Sequence, residues 1–144
     1  MTHSAPTDEI AHATSVAIGH AGVLILGPSG SGKSTLALAL MSLGARLVSD
    51  DRTILHLADG LLWASAPAVL AGRIEARGIG LLVAETSPPV PLRLVVDLGV
   101  TETTRLPPAR QRDLMGISLP CLHKCDGPHF HAAIWQYMKA GPIA

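Results

Sequence analysis

Ala21-Gly-Val-Leu-Ile-Leu26-Gly27-Pro-Ser-Gly-Ser-Gly-Lys33-Ser34 is the stretch on which the fold turns. Ala21 to Leu26 is a short apolar run closed by Gly27, which predicts a buried strand. From Ser34 to Leu43, the residues Leu36, Leu40 and Leu43 share one helical face, and Gly44 is a stop signal. Between strand and helix, Gly27 to Ser34 fits G-x-x-x-x-G-K-[ST] in full. Glycines let backbone N–H groups turn toward an anion, and the following helix points its positive end at the same place. Lys33 is then placed to reach β- and γ-phosphates, and Ser34 to offer its hydroxyl to Mg²⁺. Gly27, Pro28, Ser29, Gly30, Ser31, Gly32, Lys33, Ser34 and Thr35 form the candidate nucleotide site. Such a loop reads phosphates, so it does not specify the base.

Outward from this unit the pattern is mostly strands. Arg46 to Ser49 is a short strand ending in Asp50-Asp51. Thr53 to Leu57 and Leu61 to Ala64 flank Ala58-Asp59-Gly60, a hairpin signal. Ile79 to Ala84, Leu92 to Leu98 and Ile117 to Leu122 are further apolar strand candidates, with the prolines at 88, 89 and 91 marking a loop. Ala132 to Lys139 reads as a closing helix. The expected class is α/β: a strand–P-loop–helix unit, a strand-rich second half and a C-terminal helix. Residues 1–10 read as a flexible lead-in, which leaves 11–144 as one domain.

The chain has 144 residues, of which 48% are apolar, so a real core is affordable and wholesale disorder is excluded. Aromatics are only 3%, so Leu, Val, Ile and Ala must build that core. Lys plus Arg and Asp plus Glu number 11 each, giving zero formal net charge and no general pull toward nucleic acid or an anionic membrane. Apolar stretches fall short of the roughly 18–20 residues of a membrane span, and no basic leader precedes one. Two cysteines are too few for a disulfide scaffold, and the cytoplasm is the expected compartment.

A P-loop enzyme also needs carboxylates for Mg²⁺ and for its nucleophile. Two candidates compete on pattern alone. Leu92-Arg-Leu-Val-Val-Asp97 looks like a Walker B strand. Asp50-Asp51 closes the strand directly after the P-loop helix. Each could instead be an ordinary strand-end or turn acid.

The ordered segments around these residues resemble the C-terminal kinase domain of the HPr kinase/phosphorylase family. They are His12, Gly22 to Ile25 leading into Gly27 to Ser34, Leu36 to Leu38, Arg46-Leu-Val-Ser-Asp-Asp51 and Ala66-Pro67. The last is Arg73-Ile-Glu-Ala-Arg-Gly-Ile-Gly-Leu-Leu82, which is similar to the family's E-I-R-G-L-G-I signature. The resemblance is to short, single-domain versions seen in some proteobacteria. It implies ATP-dependent phosphorylation of a seryl side chain on HPr, a phosphocarrier of the sugar phosphotransferase system, and assembly into hexamers. By position, it makes Asp51 the base for the seryl proton, with Asp50 supporting it. Lys33 would neutralise transferring charge, and Ser34 and Glu75 would hold Mg²⁺. His12 and Arg105 would match a histidine and an arginine of the family's active site. Asp97 would be only a strand residue.

The departures are specific. Thr35 stands where relatives usually have Glu, and Ala13 and Ala76 replace a glycine and a branched apolar residue. The family's V-R-P-G-R-N type loop corresponds here to Leu119 to Phe130, which has no arginine. Lysine does not replace arginine in bidentate phosphate contact, so the reverse, phosphorylase reaction is in question. Cys121, His123, Cys125, His129 and His131 are metal-type ligands in the same region, but their spacing fits a plain loop better than a zinc site. Besides the kinase reading, two alternatives stand: a small-molecule P-loop kinase using Asp97, and an ATP-sensing module without catalysis.

Overall fold

The computed structural model describes residues 8–142. The eleven strands and two α-helices among them form an α/β fold. In chain order they begin with β1 (Glu9–Ala11), β2 (Thr14–Ile18), β3 (Ala21–Leu26), α1 (Lys33–Met41) and β4 (Arg46–Ser49). A hairpin of β5 (Thr53–Ala58) and β6 (Leu61–Ser65) follows, then a second of β7 (Arg73–Ala76) and β8 (Gly80–Val83). The long β9 (Val90–Thr101), the β10 (Gln111–Leu114) and β11 (Ile117–Lys124) pair, and α2 (Phe130–Ala140) complete the chain.

One nine-stranded sheet runs β1-β5-β6-β9-β3-β2-β4, and β11 joins β9 while carrying β10 on its other side. β3 and β11 each pair with β9 in parallel, so the carboxyl ends of the three strands share one edge. Alternation along each strand divides the core into two. Val16, Val23, Ile25, Leu94 and Val96 face α1 and α2, meeting Leu36, Leu40, Ile134 and Met138. Ala17, Leu24 and Val95 face the opposite side, meeting Leu55, Leu62, Leu119 and Cys121.

β9 changes sides part-way. Its pairing with β3 shifts between Gly22 and Val23, so that Gly22 opposes Leu92 and Val23 opposes Leu94, with Arg93 as the extra residue. Val90 and Leu92 therefore join the second core, whereas Leu94, Val96 and Leu98 join the first. Gly22 suits this bulge because a Cβ there would press within 3.0 Å of Leu92 and Val90.

The strand–loop–helix start and the hairpin with its Asp59-Gly60 turn lie where the sequence predicts them. Several expectations change. Glu9 and Ile10 are not loose lead-in, because β1 pairs with β5; the remainder of the lead-in, before Asp8, is outside the described residues. α1 stops at Met41, so Leu43 lies past its end and is 40% exposed. The strand predicted over Ile79 to Ala84 is not buried: every residue of β8 is exposed, because only β7 covers one edge. β9 begins earlier than predicted and incorporates Pro91. β2, β7 and β10 were not predicted as strands, since Thr14-Ser15, Glu75 and Gln111-Arg-Asp113 interrupt any apolar run. Among the described residues no helix is long and apolar enough to cross a membrane.

Candidate active site

The loop from Gly27 to Gly32 leaves β3 at the carboxyl edge of the sheet and enters α1. It is held by its own backbone and by Lys33. Ser31 N donates to the Pro28 carbonyl at 3.0 Å, and Leu36 N to that of Gly32 at 2.9 Å. Lys33 Nζ donates to the carbonyls of Gly27 (2.7 Å) and Pro28 (3.1 Å), bracing the start of the loop. Gly27 sits at φ 152°, and a Cβ there would collide with Ser31 Oγ and touch Leu98 at 3.1 Å. No other side chain fits the turn.

A cavity of about 210 Å³ opens over this loop. Its walls are Ser29, Gly30, Gly32, Lys33, Ser34 and Thr35 from the loop and α1, with Thr14, Asp51, Glu75 and Arg77 opposite. The opposing residues come from three separate elements: β2, the turn after β4, and the β7–β8 hairpin. The helix N-terminus, the loop amides, Lys33 and Arg77 supply positive potential; Asp51 and Glu75 supply carboxylates.

Asp50 lies behind the cavity and organises it. Its side chain is nearly buried, at 9% exposure. Oδ1 accepts from Ser34 Oγ at 2.6 Å and from Thr14 Oγ1 at 3.0 Å, and Oδ2 accepts from the Glu75 backbone N–H at 2.9 Å. A buried carboxylate needs such donors, and these three tie together α1, β2 and β7. Asp51 behaves differently. It is exposed, has φ 68°, and makes no side-chain hydrogen bond among the described residues. The left-handed backbone at Asp51 turns two successive side chains apart, sending one carboxylate inward and the other to the cavity.

The cavity thus brings together most of the sequence candidates: Ser29, Gly30, Gly32, Lys33, Ser34, Thr35, Asp51 and Glu75, with Asp50 bonded beneath Ser34. Pro28 and Ser31 shape the loop instead of lining the cavity. Two candidates fall outside it. His12 is exposed in the tight turn between β1 and β2, closed by Ala13 N donating to Ala11 O at 2.9 Å, and does not line the cavity. Arg105 is exposed in the loop after β9 and does not line it either. That loop is stapled elsewhere, by Arg110 donating to both Glu102 oxygens at 2.9 and 3.0 Å. The hydrogen bonds from Arg110 hold the Glu102 carboxyl well below the ordinary carboxylate range, at about 2.

Asp97 sits on the strand beside β3, opposite Leu26, as a Walker B reading requires. Its oxygens are already engaged, however: Oδ1 by Gly99 N at 2.8 Å and Oδ2 by Arg112 Nη1 at 3.1 Å. Asp50, not Asp97, holds the Ser34 hydroxyl. Glu75 and Arg77 both border the cavity. Thr14 and Arg77 were missed as site residues. The Arg77 signal was its place in the signature segment, one residue from Gly78; Thr14 gave none.

The cysteine–histidine segment disperses. Cys121 is buried on β11, and burial raises its thiol pKa. Cys125 Sγ lies 3.5 Å from His129 Nε2, and His123 Nδ1 lies 3.8 Å from Glu102. No three ligand-type side chains converge among the described residues.

The family model described as HPr Serine kinase C-terminal domain matches residues 4–87. The chain belongs to that family. All the cavity-lining residues lie within the matched segment. Among curated relatives, the HPr kinase/phosphorylase of Clostridium botulinum (strain Eklund 17B / Type B) is 42% identical over 71 residues. That of Streptococcus thermophilus (strain ATCC BAA-491 / LMD-9) is 44% identical over 72. Each alignment covers 49% of this chain and 23% of the relative, so the chain matches under a quarter of their length. The solved structure of the Hpr(Ser) kinase/phosphatase from Coxiella burnetii superposes with a TM-score of 0.77 at 26% identity. It covers 91% of this chain and 88% of that one, so the fold is shared beyond the sequence match.

Proposed function

We propose that this family member is an ATP-dependent protein kinase that phosphorylates a seryl side chain on an HPr-like phosphocarrier. The observation that carries this reading is the division of labour at Asp50-Asp51. One carboxylate is locked to Ser34 and the other is free at the cavity wall, opposite Lys33. In this reading Gly27 to Thr35 form a P-loop around the phosphates of ATP. Asp51 accepts the seryl proton as its oxygen approaches the γ-phosphorus. Lys33 and Arg77 balance negative charge on the transferring group, so that catalysis is chiefly positioning and electrostatics.

Ser34, Asp50 and Glu75 offer only oxygen donors around one cavity, which suits Mg²⁺ better than a softer metal. Ser34 and Glu75 would hold the ion, with Asp50 orienting Ser34. When bound, Mg²⁺ supplies charge neutralisation at the phosphates. His12 and Arg105 have no role in this reading.

The exposed apolar strand β8, with Val83 95% exposed and Leu81 68%, supports self-association into a homo-oligomer such as a hexamer. A cytoplasmic setting, without nucleic acid or membrane as partner, suits the neutral composition. The lack of arginine between Leu119 and Phe130 favours the kinase over the phosphorylase direction. The small-molecule reading through Asp97 is weakened by that carboxylate's engagement with Arg112 and Gly99.

The test is transfer from labelled Mg-ATP to HPr-like carriers by the wild type, Asp51→Asn and Asp97→Asn. Transfer should fail in Asp51→Asn, with ATP still bound, and persist in Asp97→Asn. The opposite pattern would support the small-molecule reading, and tight ATP binding without any transfer would support the sensing module.

A further inference from the structure

Thr14 is completely buried at its place on β2, behind the cavity wall it helps to form. It makes two hydrogen bonds of opposite sense. Oγ1 donates to Asp50 Oδ1 at 3.0 Å, and it accepts from the Asp51 backbone N–H at 3.3 Å. No other side chain among the described residues bonds to both members of the acid pair. Neighbouring polar side chains are occupied elsewhere: Ser15 Oγ pairs with Thr53 Oγ1 at 2.8 Å, and Thr53 Oγ1 also donates to the Ala13 carbonyl at 3.0 Å. The Asp51 backbone is in a left-handed conformation that costs about 1 kcal/mol or more for a non-glycine residue. Something must hold it there if its carboxylate is to face the cavity.

We infer that Thr14 is a positioning residue for the reaction: its hydroxyl clamps the Asp50 carboxylate and the Asp51 backbone together, fixing the direction of the Asp51 side chain. The mechanism is hydrogen-bond relay within a rigid strand. Oγ1 can donate only one proton, and Asp50 takes it. The lone pairs that remain are then fixed toward Asp51 N–H. This role rests on the kinase reading for its effect on rate, but its geometric half does not.

The test uses the full chain with Thr14→Val, which keeps shape and strand preference but removes the hydroxyl, with Thr14→Ser, which keeps the hydroxyl, and with Thr14→Ala as a second hydroxyl-free variant. Two readouts are taken. The first is steady-state phosphotransfer from Mg-ATP to an HPr-like carrier. A misdirected base should lower kcat by about 10–100-fold, with the KM for ATP within about twofold, in Val and Ala but not in Ser. The second is hydrogen exchange of the Asp51 amide, which should accelerate in Val and Ala relative to wild type and Ser, with the β3 and β9 amides unchanged. Should Thr14→Val retain full kcat in an active protein, or should the Asp51 amide exchange equally in all four, the inference is overturned. It is equally overturned if Ser behaves as Val does. If the wild type transfers no phosphoryl group but the Asp51 amide still responds as stated, the clamp stands and the kinase reading alone fails.

Discussion

Replacing Asp50 with alanine should destabilise the fold, whereas replacing Asp51 with asparagine should not, although the two residues are adjacent and identical. Asp50→Ala leaves three donors without their acceptor: Ser34 Oγ, Thr14 Oγ1 and Glu75 N. Ser34 borders the cavity and can bond to water. Glu75 also borders the cavity, so its amide can bond to water; the hydroxyl of Thr14, on a completely buried side chain, is the one left stranded. A stranded buried donor costs about 1–3 kcal/mol, so with the other two bonds exchanged for bonds to water the expected loss is about 2 kcal/mol after allowing for release of a buried charge. At the size of this chain that corresponds to about 4–8 °C in Tm. Asp51 has no comparable partners, and asparagine tolerates its φ of 68°. Its replacement should change stability by less than about 0.5 kcal/mol. Urea unfolding of both variants, followed by circular dichroism with a common m-value, reads the difference. Equal midpoints, or a loss below about 1 kcal/mol for Asp50→Ala, would refute the claim that Asp50 is the structural member of the pair.

Other parts of the molecule give further expectations. Leu94→Ala, at a fully buried position on β9, should cost about 3 kcal/mol in urea unfolding. Glu102 is held at about 2 by Arg110, so its pairing stabilises the protein above the ordinary carboxylate pKa and is lost as pH falls from there toward 2. Wild type should therefore lose urea stability between pH 5 and pH 3 more steeply than Arg110→Gln, and parallel curves would contradict the pairing. In native protein, a thiol reagent should modify Cys125 well before the buried Cys121, as peptide mapping would reveal.

Local signals made the first half of the fold legible. The Ala21–Leu26 run, the glycine loop, the Leu36/Leu40 face and the Asp-Gly hairpin each carry their own pattern, and each was placed within a few residues. Pattern reading failed where a strand borrows its place from neighbours. β2 holds Thr14 and Ser15 in full burial because Asp50 and Thr53 satisfy their hydroxyls, and no sequence window displays that exchange. The apolar run of β8 marks a strand but not its place, which is in a hairpin apart from the main sheet. Where motif and resemblance coincide, as at Lys33, Ser34, Asp51 and Glu75, the candidates line one cavity. Where the resemblance stands on single residues at chain separation, as at His12 and Arg105, the candidates lie away from that cavity. The choice between Asp97 and Asp50 could not be made from spacing, because it depends on Arg112 arriving from β10 to occupy Asp97.

The bulge at Arg93 has a bearing on how the molecule comes apart. One unbroken strand, β9, contributes Val90 and Leu92 to one apolar layer and Leu94, Val96 and Leu98 to the other. It also hydrogen-bonds to β6, β3 and β11 along its length. Neither layer can melt while the other stays intact, because each would have to strip the same backbone from its partners. The glycine loop, anchored on β3 alongside, is fastened to that shared strand. The loop side of the cavity therefore shares the stability of the whole sheet, whereas the side formed by Glu75 and Arg77 rests on the separate β7–β8 hairpin and can open on its own.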